Sequence, residues 1–429
     1  MTAQAPGAPG SARFPLGPGL AVRVEPDGDG WRCGPIRSAD GERAVAGDGA
    51  AEALVAALVA DRAGPEGAST GFWLDRAGAA PSVSGAHPIE VDQTNRSVVV
   101  GDPVTGPAVV VKWWSRLTDR DHPAPVLLRH LAAVGFAGVP ASHGTLFWTA
   151  PGGRSLPCAM VSAHLPGGSD GWTWCVQAAE REIEEGPWGP GFPARLGRLV
   201  AELHLALATG SPVLPDPVGE VAAEVVGGWL EAARGRLELA VETAAGPALA
   251  GTEVHRALIE RQAAITEVLD QLLEVDRTAV QPTHADLHVG QVLRWTGGLA
   301  IVDFDGNPVV ERSATAGPVA VQPAARDVAQ MLRSLDHVAR VVDRRTGFAF
   351  TSAADEWSGR ARSAFLAGYR AVLAAAGREQ LLDLRLLAAM ETEQLCREFI
   401  YAGQYLPRWA YAPLGGLRQQ FRIGDGEGA

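Results

Sequence analysis

Asp286, Gln291 and Asp303 carry the chemistry for which this sequence can first be read. They lie in Gln281–Pro308, which begins Gln-Pro-Thr-His-Ala-Asp-Leu-His-Val-Gly-Gln and closes on Ile-Val-Asp-Phe-Asp-Gly-Asn-Pro. Two carboxylates and a side-chain amide form an all-oxygen donor set, of the kind that holds Mg²⁺ on the phosphates of a nucleotide. For these groups to act together, the chain must fold back between them. Gln291–Trp295 and Leu299–Val302 read as strands with Gly297-Gly298 as their turn, a hairpin that would deliver Asp303 at its end on a rigid support. The expectation is that the three groups converge on one divalent ion and face an ammonium.

Lys112 is the ammonium. The chain of 429 residues uses arginine throughout yet contains this single lysine, and its asparagines are Asn95 and Asn307. A position that keeps lysine in such a composition needs a compact point charge rather than a planar guanidinium. Three strand-like runs, Ile89–Val91, Ser97–Gly101 and Ala108–Trp113, are joined by the linkers Asp92–Arg96 and Asp102–Gly106. Thr94, Asn95 and Ser97 offer hydroxyl, amide and backbone N–H donors to phosphate oxygens in a loop that is not rich in glycine. Lys112 ends the third run, placed to neutralise the phosphates.

Together, His-x-Asp-x-His-x-x-Gln and Asp-Phe-Asp-Gly-x-Pro resemble the actinobacterial maltokinases and their sister group, the glucosamine kinases, within the aminoglycoside-phosphotransferase branch of the kinase-like fold. The likeness runs from about Ile89 to Leu417 and is nearer the glucosamine kinase group in Cys-Arg-Glu-Phe-Ile-Tyr-Ala and Leu-Pro-Arg-Trp-Ala-Tyr-Ala-Pro. It implies an α+β, bilobal protein-kinase-like fold. Residues 1–88 would form an N-terminal α+β cap, 89–166 the small lobe with the nucleotide-binding strands, and 167–429 a mainly helical large lobe carrying the hairpin and the sugar site. It implies Asp286 as catalytic base, Gln291 and Asp303 as Mg²⁺ ligands, ATP as phosphoryl donor and the 6-phosphate of glucosamine as product. The stretch Ser162, Ala163 and His164 falls where a hinge would offer its backbone to adenine. One position departs from the pattern. Kinases place a glutamate on the helix after the lysine strand, whereas the matching position on His122–Gly135 is Val126, which leaves the partner of Lys112 unspecified.

The acceptor end is read from Met390–Leu417. Glu391, Gln394, Glu398, Tyr401 and Tyr405 fall near one helical stripe, and Pro407, Trp409 and Pro413 then break it. Carboxylates take sugar hydroxyls and a ring stacks on the pyranose face, so Glu398, Tyr401 and Trp409 are assigned to the sugar. His288 is assigned to face it, Asp305 to serve it or a second metal, and His284 to brace the loop. An acid such as Glu398 favours a cationic amino sugar over a neutral one. The alternatives are a maltokinase, an aminoglycoside phosphotransferase and an ATP-binding pseudokinase, the last favoured by the absent helix glutamate.

The remaining chain supplies scaffold. Residues 1–20 are rich in Gly, Pro and Ala and read as frayed. Leu20–Gly34 reads as a strand pair and Ala50–Ala60 as a helix. Leu146–Thr149 and Ala159–Ala163 read as strands. Leu196–His204, Pro217–Thr243, Glu253–Val275, Arg326–Leu335 (with Asp327 capping its start) and Asp355–Gly377 read as helices. Hydrophobic content of 47% and charged content of 20% fit a soluble protein. The net charge of −12 argues against an extended nucleic-acid surface. No apolar run reaches membrane-span length and no signal pattern opens the chain, so a cytoplasmic protein with a small-molecule sugar partner, no nucleic acid and no membrane is expected. Cys33, Cys158, Cys175 and Cys396 lack metal-type spacing and read as reduced thiols.

Overall fold

The computed structural model describes residues 11–60, 71–89, 95–186, 191–306, 319 and 321–421. Thr94 and Asn307 lie outside them. The chain falls into two units, one drawn from Met1–Gly168, Trp295–Asp305 and Ala316–Val319, the other from Ser169–Arg294, Gly306–Thr315 and Ala320–Ala429.

The first unit is built on two antiparallel sheets. Its elements are β1 (Ala12–Gly17), β2 (Leu20–Asp27), β3 (Gly30–Arg37), α1 (Ala50–Val59), β4 (Phe72–Arg76), β5 (Ala86–Pro88), β6 (Arg96–Gly101), β7 (Ala108–Trp113), β8 (Arg116–Thr118), α2 (Pro123–Ala133), β9 (Ser142–Thr149) and β10 (Ser155–Ala163). The orders are β1-β2-β3-β8 and β4-β9-β10-β7-β6-β5. Three strands cross the expected boundary at residue 88. β4 and β5 are the edges of the six-stranded sheet, while β8, directly after the lysine strand, joins the N-terminal sheet. The expected fraying of residues 1–20 is corrected for Ala12–Gly17. This strand pairs with β2 and buries Phe14, whose ring lies 5.5 Å from that of Phe72. Its Pro15 disguised it, yet proline is tolerated on an edge strand. In β7, Val109, Val111 and Trp113 are buried and Val110 and Lys112 take the opposite face, as the two-residue period requires.

The second unit is mainly helical: α3 (Gly171–Glu185), α4 (Gly191–Leu207), β11 (Gly219–Ala222), α5 (Ala223–Ala245), α6 (Glu253–Asp270), β12 (Arg277–Pro282), β13 (Val292–Trp295), then, after β14 (Gly298–Ile301), β15 (Val321–Gln322), α7 (Ala325–Arg345), α8 (Thr351–Ala375), α9 (Leu387–Tyr405) and α10 (Tyr411–Gln420). The chain passes from this unit to the first within the β13–β14 pair. The helix expected over Pro217–Thr243 opens instead as β11, which pairs antiparallel with β12, so the helix starts at Ala223. α3 was not anticipated; Asp170 caps it by accepting the Thr173 N–H at 3.0 Å. α4 and α8 meet backbone to backbone. A Cβ on Gly197 would stand 2.0 Å from the Phe365 carbonyl oxygen, and one on Gly368 2.3 Å from that of Ala194. Among the described residues no helix is long and apolar enough to cross a membrane.

The interior of this unit is ionic as well as apolar. Glu393, 2% exposed, meets Arg236 at 2.8 Å, Arg326 at 2.8 Å and Arg397 at 2.7 Å. Burial alone would raise its pKa, but the three guanidiniums outweigh it and hold the carboxyl at about 2. A depressed acid stabilises the fold above its unfolded pKa of 4.5, and that contribution is lost as pH falls toward 2. Glu393→Gln is expected to lower stability at neutral pH by about 3–5 kcal/mol, since it leaves buried cations uncompensated. Its Tm should also fall less than that of the wild type between pH 5 and pH 3. Parallel Tm profiles would contradict this role. Burial pushes the Cys396 thiol up to about 12 and the Cys175 thiol higher still, which suits inert core thiols.

Candidate active site

In the second unit, β12 leads into the loop that carries Asp286, and α7 grips this loop by its backbone. Asp327 Oδ2 accepts the His284 N–H at 2.7 Å, and Oδ1 accepts the Ala285 N–H at 2.9 Å. Gln330 accepts the Leu287 N–H at 2.9 Å and donates to the Ala285 carbonyl at 3.1 Å. Ser334 Oγ accepts the Val289 N–H at 2.9 Å. Residues 327, 330 and 334 share one helix face, so a single rigid element holds the loop on both sides of Asp286. Ala285 sits at φ +69°, a left-handed conformation costing about 1–3 kcal/mol, which bonds to its N–H and carbonyl over-determine. This corrects the expectation for Asp327. The N-cap position belongs to Ala324, and the Asp327 carboxylate is fully buried beneath the loop. Burial would raise its pKa, but His204, 3.2 Å away, and His284 keep it below the usual value. His284 is 1% exposed and its Nδ1 accepts the Asp286 N–H at 3.4 Å, as a bracing residue would.

A short 3₁₀ turn, Val289–Gln291, presents Gln291. His288 caps it, Nδ1 accepting the Gly290 N–H at 3.1 Å, so the proton of the neutral ring sits on Nε2. The start of α3 is stitched to the same stretch. Ser169 and Arg294 exchange backbone bonds of 2.8 and 3.0 Å, and Trp174 Nε1 donates to the Val292 carbonyl at 3.0 Å. Gly171 must be glycine, because a Cβ there would lie 1.5 Å from the Val289 oxygen. Trp172 is thereby brought beside the loop, its ring 6.3 Å from that of His288 and 6.5 Å from that of Trp409.

The other acceptor candidates separate. Glu398 Oε2 accepts from Arg333 Nη2 at 3.2 Å and approaches His337 Nε2 at 3.0 Å, with 12% of the side chain exposed. Its burial would raise the pKa; His337 and Arg333 hold it at about 2. Glu391 is buried against Arg362. Tyr401 is 56% exposed and its ring lies 5.4 Å from that of Tyr405. The stripe expected on this helix therefore divides between interior ion pairs and exposed rings.

In the first unit, Lys112 lies opposite Ser97 on β6 and Met160 on β10. Its Nζ donates to Asp303 Oδ1 at 2.6 Å and to Asp305 Oδ2 at 2.8 Å. Asp305 Oδ2 also accepts from Asn95 Nδ2 and Trp114 Nε1, each at 3.0 Å. The partner that the Val126 position could not supply is thus provided by the Asp-Phe-Asp motif itself. Burial works to lower the Lys112 pKa, but Asp305 and Asp303 outweigh it and hold the ammonium above its usual value. Asp303 sits at φ +66° and keeps 42% of its side chain exposed. At the expected hinge, the Ala163 N–H donates to the Ala141 carbonyl at 2.8 Å and the His164 N–H to that of Ala108 at 3.1 Å. These two donors serve the sheet, so a base meeting this edge must use other groups of Ser162–His164.

An ammonium on a central strand facing the Asp-Phe-Asp motif, and a His-x-Asp loop clamped by a helix, fit a kinase-like phosphotransferase. No family model matches the chain. It is 36% identical over 409 residues to a glucosamine kinase of Mycolicibacterium smegmatis, covering 94% of this chain and 95% of that one. It is 38% identical over 413 residues to a glucosamine kinase of Streptacidiphilus jiangxiensis, covering 94% and 89%. A solved glucosamine kinase in complex with glucosamine, ADP and inorganic phosphate superposes with a TM-score of 0.76 at 35% identity, covering 94% of this chain and 91% of that one. The chain belongs to the glucosamine kinase family.

Proposed function

We propose that this protein transfers the γ-phosphoryl group of ATP to the 6-hydroxyl of glucosamine. The observation that carries the reading is its likeness, over 94% of its length, to an enzyme solved with glucosamine, ADP and phosphate. In this reading Asp286 orients the acceptor hydroxyl and takes its proton, and His288, on the same loop, faces the sugar. Lys112 neutralises phosphate oxygens, with Asn95 and Ser97 as further donors, and Ser162–His164 border the adenine. Gln291 and Asp303 would hold Mg²⁺. They fit such an ion: both offer hard oxygen, Gln291 is half-buried and Asp303 partly open. Among the described residues no group of three or more His, Cys, Asp or Glu side chains could hold a metal. When bound, Mg²⁺ supplies charge neutralisation on the transferring phosphate.

Glu398 and Trp409 border the sugar in this proposal, with Tyr401 as an outer contact. Asp305 acts through Lys112, which it positions. We place the protein in the cytoplasm, where ATP is supplied, with residues 1–88 as a cap, 89–166 as the nucleotide-binding part and 167–429 as the acceptor part. A sugar panel with MgATP tests the reading. ADP release with glucosamine should exceed that with maltose or a kanamycin-type aminoglycoside by about 10²-fold or more in kcat/KM. Preference for maltose would assign a maltokinase and preference for the aminoglycoside a resistance enzyme. Thermal stabilisation by ATP without turnover on any sugar would assign a binding module.

A further inference from the structure

Trp172 belongs to no motif that the chemistry required, yet it joins two residues that did. His288 lies on the loop of Asp286, and Trp409 follows α9 more than a hundred residues later in the chain. Trp172 stands between them, its ring tilted at 32° to His288 and nearly edge-on at 61° to Trp409. Trp409 in turn stacks on Tyr411 at 5.9 Å. Trp172 is half-buried rather than fully enclosed. Its place is specified closely. The Asp170 cap fixes the first turn of α3, and Gly171 brings that turn into backbone contact with Val289. A Cβ on Gly290 would lie 2.8 Å from Trp172 Nε1 and 2.7 Å from His288, so only glycine admits the indole there.

We infer that Trp172 is a specificity-determining residue of the acceptor site, the middle panel of an aromatic wall running from His288 to Trp409. This rests on the functional reading above. A hexose that touches both His288 and Trp409 comes within reach of Trp172, whose ring neighbours each of theirs. An indole offers its face to the C–H side of a pyranose and attracts a protonated amine through the ring quadrupole. A neutral hexose loses the second contact, so the wall favours an amino sugar.

The test is steady-state kinetics of Trp172→Phe and Trp172→Leu with glucosamine and ATP varied separately, joined to a footprint of the wild type. The KM for glucosamine should rise about threefold in W172F and about tenfold in W172L, with the KM for ATP within about twofold. In the wild type, glucosamine should slow oxidation of the Trp172 indole by N-bromosuccinimide, mapped by peptide mass, while Trp73, 41% exposed in the first unit, reacts at an unchanged rate. The footprint needs no variant and decides the matter if W172L fails to fold. A wild type that releases no ADP with glucosamine would overturn the functional reading and this inference together. A wild type that turns over, with variants retaining its KM and an unprotected Trp172, would overturn the inference alone.

Discussion

Asp286→Asn is expected to lower kcat on glucosamine by about 10²–10⁴-fold, the range for loss of a positioned general base. Its Tm should stay within roughly 2 °C of the wild type. The two halves of this expectation have separate causes. The loop is held through the N–H groups of His284, Ala285, Leu287 and Val289, and asparagine at 286 leaves these four bonds in place. Asparagine preserves volume but cannot take a proton. The KM for ATP should change little, because Lys112, the ammonium proposed to meet the phosphates, belongs to the other unit. Rapid-quench kinetics with a melting curve checks both halves. Near wild-type turnover would remove Asp286 from its assigned role.

The second large effect is expected at a residue that touches no substrate. Asp327→Ala strips the loop of its two-oxygen anchor, removing the acceptor that the N–H groups of His284 and Ala285 use and the contact with His204 Nε2. Losing a buried acceptor costs about 1–3 kcal/mol for each donor left unsatisfied. The strained Ala285 is then free to relax, and a misplacement of about 1 Å at the base costs roughly 10²-fold in rate. Asp327→Asn separates the two effects. It keeps the volume and one acceptor oxygen but turns an amide toward one of the two N–H donors. It should retain most of the stability, lose kcat and speed amide exchange at His284 and Ala285. Unchanged exchange with unchanged kcat would show that the clamp does not position the loop. The Asp327 pKa is depressed, so its stabilisation is present above pH 3.8 and lost as pH falls further through its folded value.

The sequence made some of these features legible and hid others, for physical reasons. The strands around Lys112 were readable because alternation at Val109, Val111 and Trp113 is a local property. The loop and the strand pair after it were readable because residue types and turn glycines lie close together in the chain. The partner of Lys112 was not, since charge pairing across long sequence separation leaves no local trace. The helix position that should have held a glutamate is Val126, and the acid came from the Asp-Phe-Asp motif instead. Asp327 looked like a helix cap because its position in the first turn permits one. Only the fold shows that its oxygens point to another segment. The stripe of Glu391, Glu398 and Tyr401 was legible as a stripe, but the arginines that meet Glu391 and Glu398 were not. Helical periodicity places residues on a face but does not say whether buried arginines await them. β11 was lost inside a helical composition, and Trp172, legible only as part of an Asp-Gly-Trp string similar to one in maltokinases, was given no role because its neighbours lie far away in the chain.

The central claim is phosphoryl transfer to an amino sugar, and phosphorus NMR of the reaction mixture tests it most directly. With the protein, ATP, Mg²⁺ and glucosamine, the account predicts loss of the γ-phosphate signal and growth of one phosphomonoester resonance coupled to the C6 methylene protons. Omitting the sugar or chelating the metal should abolish that resonance. A γ-phosphate that remains intact, or one that emerges only as inorganic phosphate with glucosamine unmodified, would contradict it.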